Sequence, residues 1–191
     1  MGSNISHDIT KRKRDEALYN MIPNLFWSLL CLIPLYMFCE RHVSLKLIYW
    51  FASLSLLTIF IPGRVLDRLQ FSQSRSFYKR IGIEIINRFA QNGTLVNKML
   101  SKKYPDYKVA APNRPTIKRL IGHTYMFEKF HLMMFFIFLL VTIYALLNSF
   151  WIWAFVLMMG NLIYNVFPNL LQQYIRIRMK GFLAKSQKPT S

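Results

Sequence analysis

The sequence predicts an all-α integral membrane protein. About four transmembrane helices are expected, with cytoplasmic amphipathic helices between the second and third. Three observations lead there. The 191 residues are 53% hydrophobic and 16% aromatic, and only 17% are charged. The apolar residues gather into four blocks close to the roughly 17–25 residues a spanning helix needs. The charge is one-sided, 25 Lys+Arg against 8 Asp+Glu for a net +17, and it lies almost entirely outside those blocks.

A strong basic excess suits either nucleic acid or a membrane surface. With a mean hydropathy of +0.23 and apolar blocks of spanning length, the membrane reading prevails. No nucleic-acid partner is expected. The charge then serves topology and attraction to anionic head groups. Cys31 and Cys39 both fall in the first apolar block, where free cysteines pack as small hydrophobes.

The chain divides into a basic cytoplasmic N-terminus (1–20), a transmembrane pair (21–62), a cytoplasmic or interfacial region (63–130), a second transmembrane pair (131–175) and a basic cytoplasmic tail (176–191). The first apolar block, 21–39, is followed by Glu40-Arg41-His42 rather than by small residues. It reads as an uncleaved span. The second block is 45–62. The third, 132–147, is short for a span and must recruit His131 or Asn148. The fourth runs from 150 to about 171. Between the first two blocks lie only Arg41 and Lys46, and the Asn148-Ser149 turn carries no charge. The positive-inside rule therefore places both termini and the middle region in the cytoplasm of a multi-pass cell-membrane protein.

In the middle region, 71–88 carries Phe77, Ile81, Ile85 and Phe89 at helical spacing, with Lys79, Arg80 and Arg88 between. This predicts one amphipathic helix in the head-group layer. Asn92-Gly93 can end it. A second helix is expected over 94–103 and a proline-rich loop over 104–115. From 117 a helix should run directly into the third span.

Two polar groups stand at the inner membrane boundary. Glu128 and His131 are three apart, on one helical face. A carboxylate beside an imidazole can fix its tautomer and raise its basicity, as a general base requires. The same spacing can bind metal, but the apolar blocks supply no further carboxylates. An ordinary interfacial pair is the plain alternative. The second group is the seam Asn161, Asn165, Pro168, Asn169, Gln172, Gln173, Tyr174, Arg176 and Arg178. Asn161, Asn165, Pro168 and Gln172 recur in steps of four, three and four. Pro168 deprives the Tyr164 carbonyl of its usual donor. Carboxamides in hydrocarbon are costly unless paired, so they act either as helix–helix glue or as a binding groove. Phosphate-binding glycine loops, zinc-ligand spacings, nucleophile elbows and a His-x4-Asp acyltransferase motif are missing from the sequence. No metal and no cofactor are expected.

These residues resemble the glycosyl-4,4'-diaponeurosporenoate acyltransferases of staphyloxanthin-type carotenoid synthesis. The likeness covers about 71–180. It rests on Tyr78, Lys79 and Gly82, with Gly93 downstream. It rests also on Glu128 and His131, and on the final run Asn165, Pro168, Gln172, Gln173, Tyr174, Ile175, Arg176 and Arg178. The family's arginine and second asparagine in that run stand here as Gln173 and Ile175. The resemblance implies a bacterial inner-membrane transferase that moves a fatty acyl group to a hydroxyl, of a sugar, on a lipid carrier. His131 would deprotonate the acceptor, with Glu128 orienting it. Asn165, Gln172 and Tyr174 would bind the acceptor or the oxyanion. Arg176, with Lys79 or Arg80 and near Tyr78, would hold an anionic donor. The partners would be membrane lipids, an amphiphilic acyl donor and a glycolipid acceptor; self-association or a membrane complex is left open. The alternative is a non-enzymatic membrane subunit or assembly factor of a larger complex. A transporter is disfavoured because no charge sits at mid-membrane.

Overall fold

The computed structural model describes residues 2–90, 94–104 and 114–185. Over these residues the chain is helical and contains no strand. Helix α1 (Gly2–His42) turns at Ser44 into α2 (Leu45–Leu56), which tightens into a 3₁₀ turn, Leu57–Phe60. Four short helices follow: α3 (Gly63–Arg68), α4 (Arg75–Arg80), α5 (Ile83–Arg88) and α6 (Thr94–Lys103). Then come α7 (Arg114–Leu147), α8 (Trp151–Asn161), a π turn (Leu162–Val166) and α9 (Phe167–Lys185).

Among the described residues three helices are long and apolar enough to cross a membrane: Thr10–His42, Arg114–Leu147 and Trp151–Ala184. The second apolar block is a shorter helix, Leu45–Phe60. Only 17–28% of the three apolar windows is buried inside the protein. The remaining apolar surface needs a solvent other than water. The third block has no difficulty of length, because α7 begins well before it and continues unbroken through it.

Helix α7 is the centre. It packs along α8 and α9, while α2 lies against α7 and α1 against α8 and the π turn. The main apolar core joins Leu35 and Phe38 of α1, Phe138, Val141 and Ala145 of α7, and Ala154 and Leu157 of α8. Phe38 and Phe138 are fully enclosed. The α7–α8 turn is closed by Ser149 at φ 62°, a conformation uncommon without glycine, and by Phe150 N–H donating to Ala145 O at 2.8 Å.

The middle region departs from expectation in two places. The stretch 71–88 is two helices, broken at Gly82 with φ +80°. There the left-handed backbone turns Tyr78 and Ile83 inward, both fully buried. Pro115 belongs to the first turn of α7, where a missing N–H costs nothing. Asn92-Gly93 lies outside the described residues, and so does most of the proline-rich stretch. The short helices are fastened to α1: Trp27 Nε1 donates to Phe89 O at 3.3 Å, and Tyr104 donates to Asp15 Oδ2 at 2.6 Å. Lys103 pairs with the same Asp15 oxygen at 2.6 Å.

Gly160 of α8 faces the Phe138 ring, and a Cβ there would lie 3.2 Å from Phe138 Cε1 and 4.0 Å from Cys31 O. Gly160→Leu should overpack this contact and destabilise the protein by about 1–3 kcal/mol. Thermal unfolding in a mild detergent should show the lowered Tm.

Candidate functional site

The site lies where α7 meets the π turn and α9. A π turn holds more residues per turn than an α-helix, so it shifts the register of everything after it. Here Phe167 N–H bonds to Leu162 O, five residues back. At α-helical spacing the face that begins at Asn161 would reach Gln172. With the wide turn it runs Asn161, Asn165, Asn169, Gln173, Arg176, Lys180. Gln173 and Arg176 point at Glu128, and Lys180 reaches Asp67. Gln172 stands half-buried beside that face.

Glu128 and Arg176 form the centre. Both are buried, Glu128 at 3% exposure and Arg176 at 0%. Arg176 Nη1 donates to Glu128 Oε2 in a buried ion pair. Gln173 Nε2 donates to Glu128 Oε1 at 2.9 Å, and the Tyr78 hydroxyl donates to Gln173 Oε1 at 2.8 Å. The other side of the guanidinium meets Asp67 of α3: Nε lies 3.1 Å from Oδ1, an ion-pair distance without hydrogen-bond alignment. Gln70, with its carbonyl oxygen turned to the guanidinium, accepts from Nε at 2.9 Å and Nη2 at 2.7 Å. The Tyr125 ring stacks on the guanidinium at 4.4 Å. Asp67 Oδ2 accepts from Tyr125 at 2.8 Å and from Lys180 at 2.9 Å.

Burial alone would raise the Asp67 carboxyl. The hydrogen bonds from Lys180 and Tyr125 and the charges of Lys180 and Arg176 outweigh it, and hold the group below its ordinary value. Tyr78 is pushed up, mainly by its burial.

One turn deeper on α7, His131 faces the π turn instead of Glu128. Its ring meets the Tyr164 ring edge-on at 5.9 Å. The imidazole is within hydrogen-bonding reach of the Asn165 side chain and the Tyr164 backbone. Pro168 has no N–H to offer the Tyr164 carbonyl. Asn165 Nδ2 donates to Asn161 Oδ1 at 2.8 Å, and Asn161 Nδ2 donates to Phe135 O at 3.2 Å. His131 Nδ1, Asn165 Oδ1 and Asn169 Oδ1 are enclosed atoms without an aligned hydrogen bond.

Two of the expected roles therefore meet different surroundings. Glu128 spends its oxygens on Gln173 and Arg176, not on His131. Arg176 is occupied on every side by protein groups, which leaves an anionic ligand no free edge. Tyr174 and Lys79 gather elsewhere, both on Glu84: Tyr174 donates at 3.3 Å and Lys79 pairs at 3.1 Å. The Lys79 and Tyr174 contacts hold the half-exposed Glu84 carboxyl below its ordinary value, against a smaller effect of desolvation. Among the described residues no group of three His, Cys, Asp or Glu side chains is placed to hold a metal.

The glycosyl-4,4'-diaponeurosporenoate acyltransferase (CrtO) family model matches residues 62–185, a stretch that includes every residue of this cluster except Ser28, which donates to or accepts from the Tyr164 hydroxyl at 3.1 Å. The chain belongs to this family. Neither a curated protein nor a solved structure matches it. The CrtO match begins at Pro62, just before α3, and ends at Lys185, the last residue of α9. It thus covers Asp67 and Gln70, an acid and an amide in and just after a short helix, which carry no spacing signal in the sequence.

Gln173→Leu should leave the buried Glu128 Oε1 without its partner, while the Tyr78 hydroxyl keeps its bonds to Ser72, and cost about 1–3 kcal/mol. Chemical or thermal unfolding checks this. Asp67 adds a pH signature. Its lowered value means that its stabilisation is present above the ordinary 3.8 and is lost as pH falls through the folded-state value. Asp67→Asn should remove that part of the acid sensitivity, read from stability measured below pH about 4.

Proposed function

We propose that the chain is a membrane-bound acyltransferase, transferring a fatty acyl group to a hydroxyl of a sugar on a lipid such as a glycosylated carotenoid. The CrtO family match over residues 62–185 carries this reading. It is supported by the polar cluster at the inner end of α7, where amphiphilic substrates would meet. In the proposed topology four segments cross the membrane and both termini face the cytoplasm.

His131 is the general base. The acceptor oxygen bonds to the acyl carbonyl carbon while the bond from that carbon to the donor's leaving oxygen or sulfur breaks. The hydroxyl proton passes to His131 and then to the leaving group. Asn169, whose carbonyl oxygen lacks an aligned bond, is a candidate contact for acceptor hydroxyls, which can donate to it. Glu128 and Arg176 act by holding α7 on α9. Lys79 and Arg80, both exposed, remain for an anionic part of the donor.

One observation favours a second reading, a non-catalytic subunit of a membrane complex: the Glu128–Arg176 cluster is internally satisfied and needs no ligand to explain it. One experiment separates the two. Lipids and pigments are profiled by mass spectrometry in cells with the gene deleted, restored, or restored as His131→Ala, with membrane insertion of the variant verified. The enzyme reading expects loss of an acylated glycolipid and build-up of its unacylated precursor in both the deletion and the His131→Ala strain. A wild-type profile in the His131→Ala strain removes His131 from the chemistry. An unchanged profile in all strains favours the subunit.

A further inference from the structure

The His131 imidazole can act as a base only if one ring nitrogen is free of a proton and that nitrogen faces the substrate. A neutral imidazole has two tautomers, and the hydrogen bond made by one nitrogen decides which is present. Glu128 does not set it, since its oxygens belong to Gln173 and Arg176. The polar groups next to the ring come from the π turn instead.

Those groups form a chain with a fixed direction. It starts at the Phe135 carbonyl, which can only accept. Asn161 must therefore present its Nδ2 to Phe135 O, at 3.2 Å, and its oxygen away from it. Asn161 Oδ1 accepts in turn from Asn165 Nδ2, at 2.8 Å. Asn165 is left with its oxygen pointing onward, into a fully enclosed position. That oxygen and His131 Nδ1 are both enclosed and both lack an aligned partner. The Asn165 side chain and the His131 ring are within hydrogen-bonding reach of one another. The Tyr164 backbone is within the same reach of the ring. An amide oxygen can only accept, so the enclosed Nδ1 and the enclosed Asn165 oxygen satisfy one another only if Nδ1 carries the hydrogen.

We propose that Asn161 and Asn165 form a carboxamide relay that holds neutral His131 with its proton on Nδ1, leaving Nε2 as the basic nitrogen. Both asparagines are then positioning residues, and Asn165 acts on the ring, not on substrate. The π turn is part of the device, because it keeps Asn165 opposite His131 while carrying Gln173 and Arg176 to Glu128. That Nε2 serves acyl transfer rests on the function proposed above; the tautomer itself does not.

The test is nitrogen-detected NMR of the full chain in lipid nanodiscs, with histidine labelled at both ring nitrogens. His7, His42, His123 and His131 supply the signals, and His131 is assigned by its loss in His131→Ala. The spectrum expected at neutral pH is that of an Nδ1-protonated, Nε2-bare ring. Asn161→Leu, which leaves the neighbouring Asn165 in place but free to flip, should convert this to a mixture of tautomers. In the lipid-profile assay it should cut product formation by about 10²-fold. Asn165→Leu should act in the same way. An Nε2-protonated ring in the wild type overturns the proposal, without reference to any variant's folding. So does a pure Nδ1–H ring that persists in both folded variants. Full activity of His131→Ala would overturn the catalytic reading while leaving the tautomer assignment to be judged by the spectrum.

Discussion

The buried pair between Glu128 and Arg176 is the constraint on which the rest of the structure depends. Each ion costs several kcal/mol to remove from water. Their attraction offsets that cost only where the remaining lone pairs and N–H groups also find partners. The surroundings meet this demand from four elements. Gln173 and Arg176 come from α9, Glu128 and Tyr125 from α7, Asp67 from α3 and Tyr78 from α4. A charged cluster is therefore a joint between the long apolar helices and the short helices of the middle region. Replacement of one member strands the others, which makes the joint specific as well as costly.

The joint also explains the division of labour along α7. One turn separates Glu128 from His131, yet they serve different neighbours. Glu128 faces the regular part of α9, where arginine and glutamine satisfy a carboxylate. His131 faces the π turn, where the polar partners are neutral carboxamides and a carbonyl left over by proline. A neutral environment preserves a neutral imidazole better than a carboxylate would. The CrtO family assignment gives this arrangement a chemical setting, acyl transfer, in which the proposed base would act.

Much of this was legible in the chain. Basic residues and apolar blocks mark out the helices, and the Asn148-Ser149 turn falls between α7 and α8 as read. Glu128, His131, Asn165 and Arg176 were recognisable because polar side chains beside hydrocarbon need a reason. Their pairing was not recognisable. Spacing puts Glu128 and His131 on one face, but a shared face does not make two side chains partners when a neighbouring helix offers stronger ones. Gln172 and Gln173 both stand in the seam, and that Gln173 is the one turned to Glu128 was not legible: a π turn adds a residue to the register, and no residue type at 162–166 announces it. Gly82 likewise divides a stretch whose apolar spacing reads as one helix. Asp67 was invisible because its partners Tyr125, Arg176 and Lys180 all lie far from it in sequence.

The most direct measurement of the central claim is a double-mutant cycle across the joint. Glu128→Gln, Arg176→Met and the double variant would be compared with the wild type by reversible unfolding in a defined detergent or lipid. If the pair fastens α7 to α9, the two singles should each be severely destabilised, and the double should lose much less than their sum, with a coupling of about 2 kcal/mol or more. Additivity within about 0.5 kcal/mol would mean that the two residues do not act on each other. The account of the joint, and of the site it supports, would then be wrong.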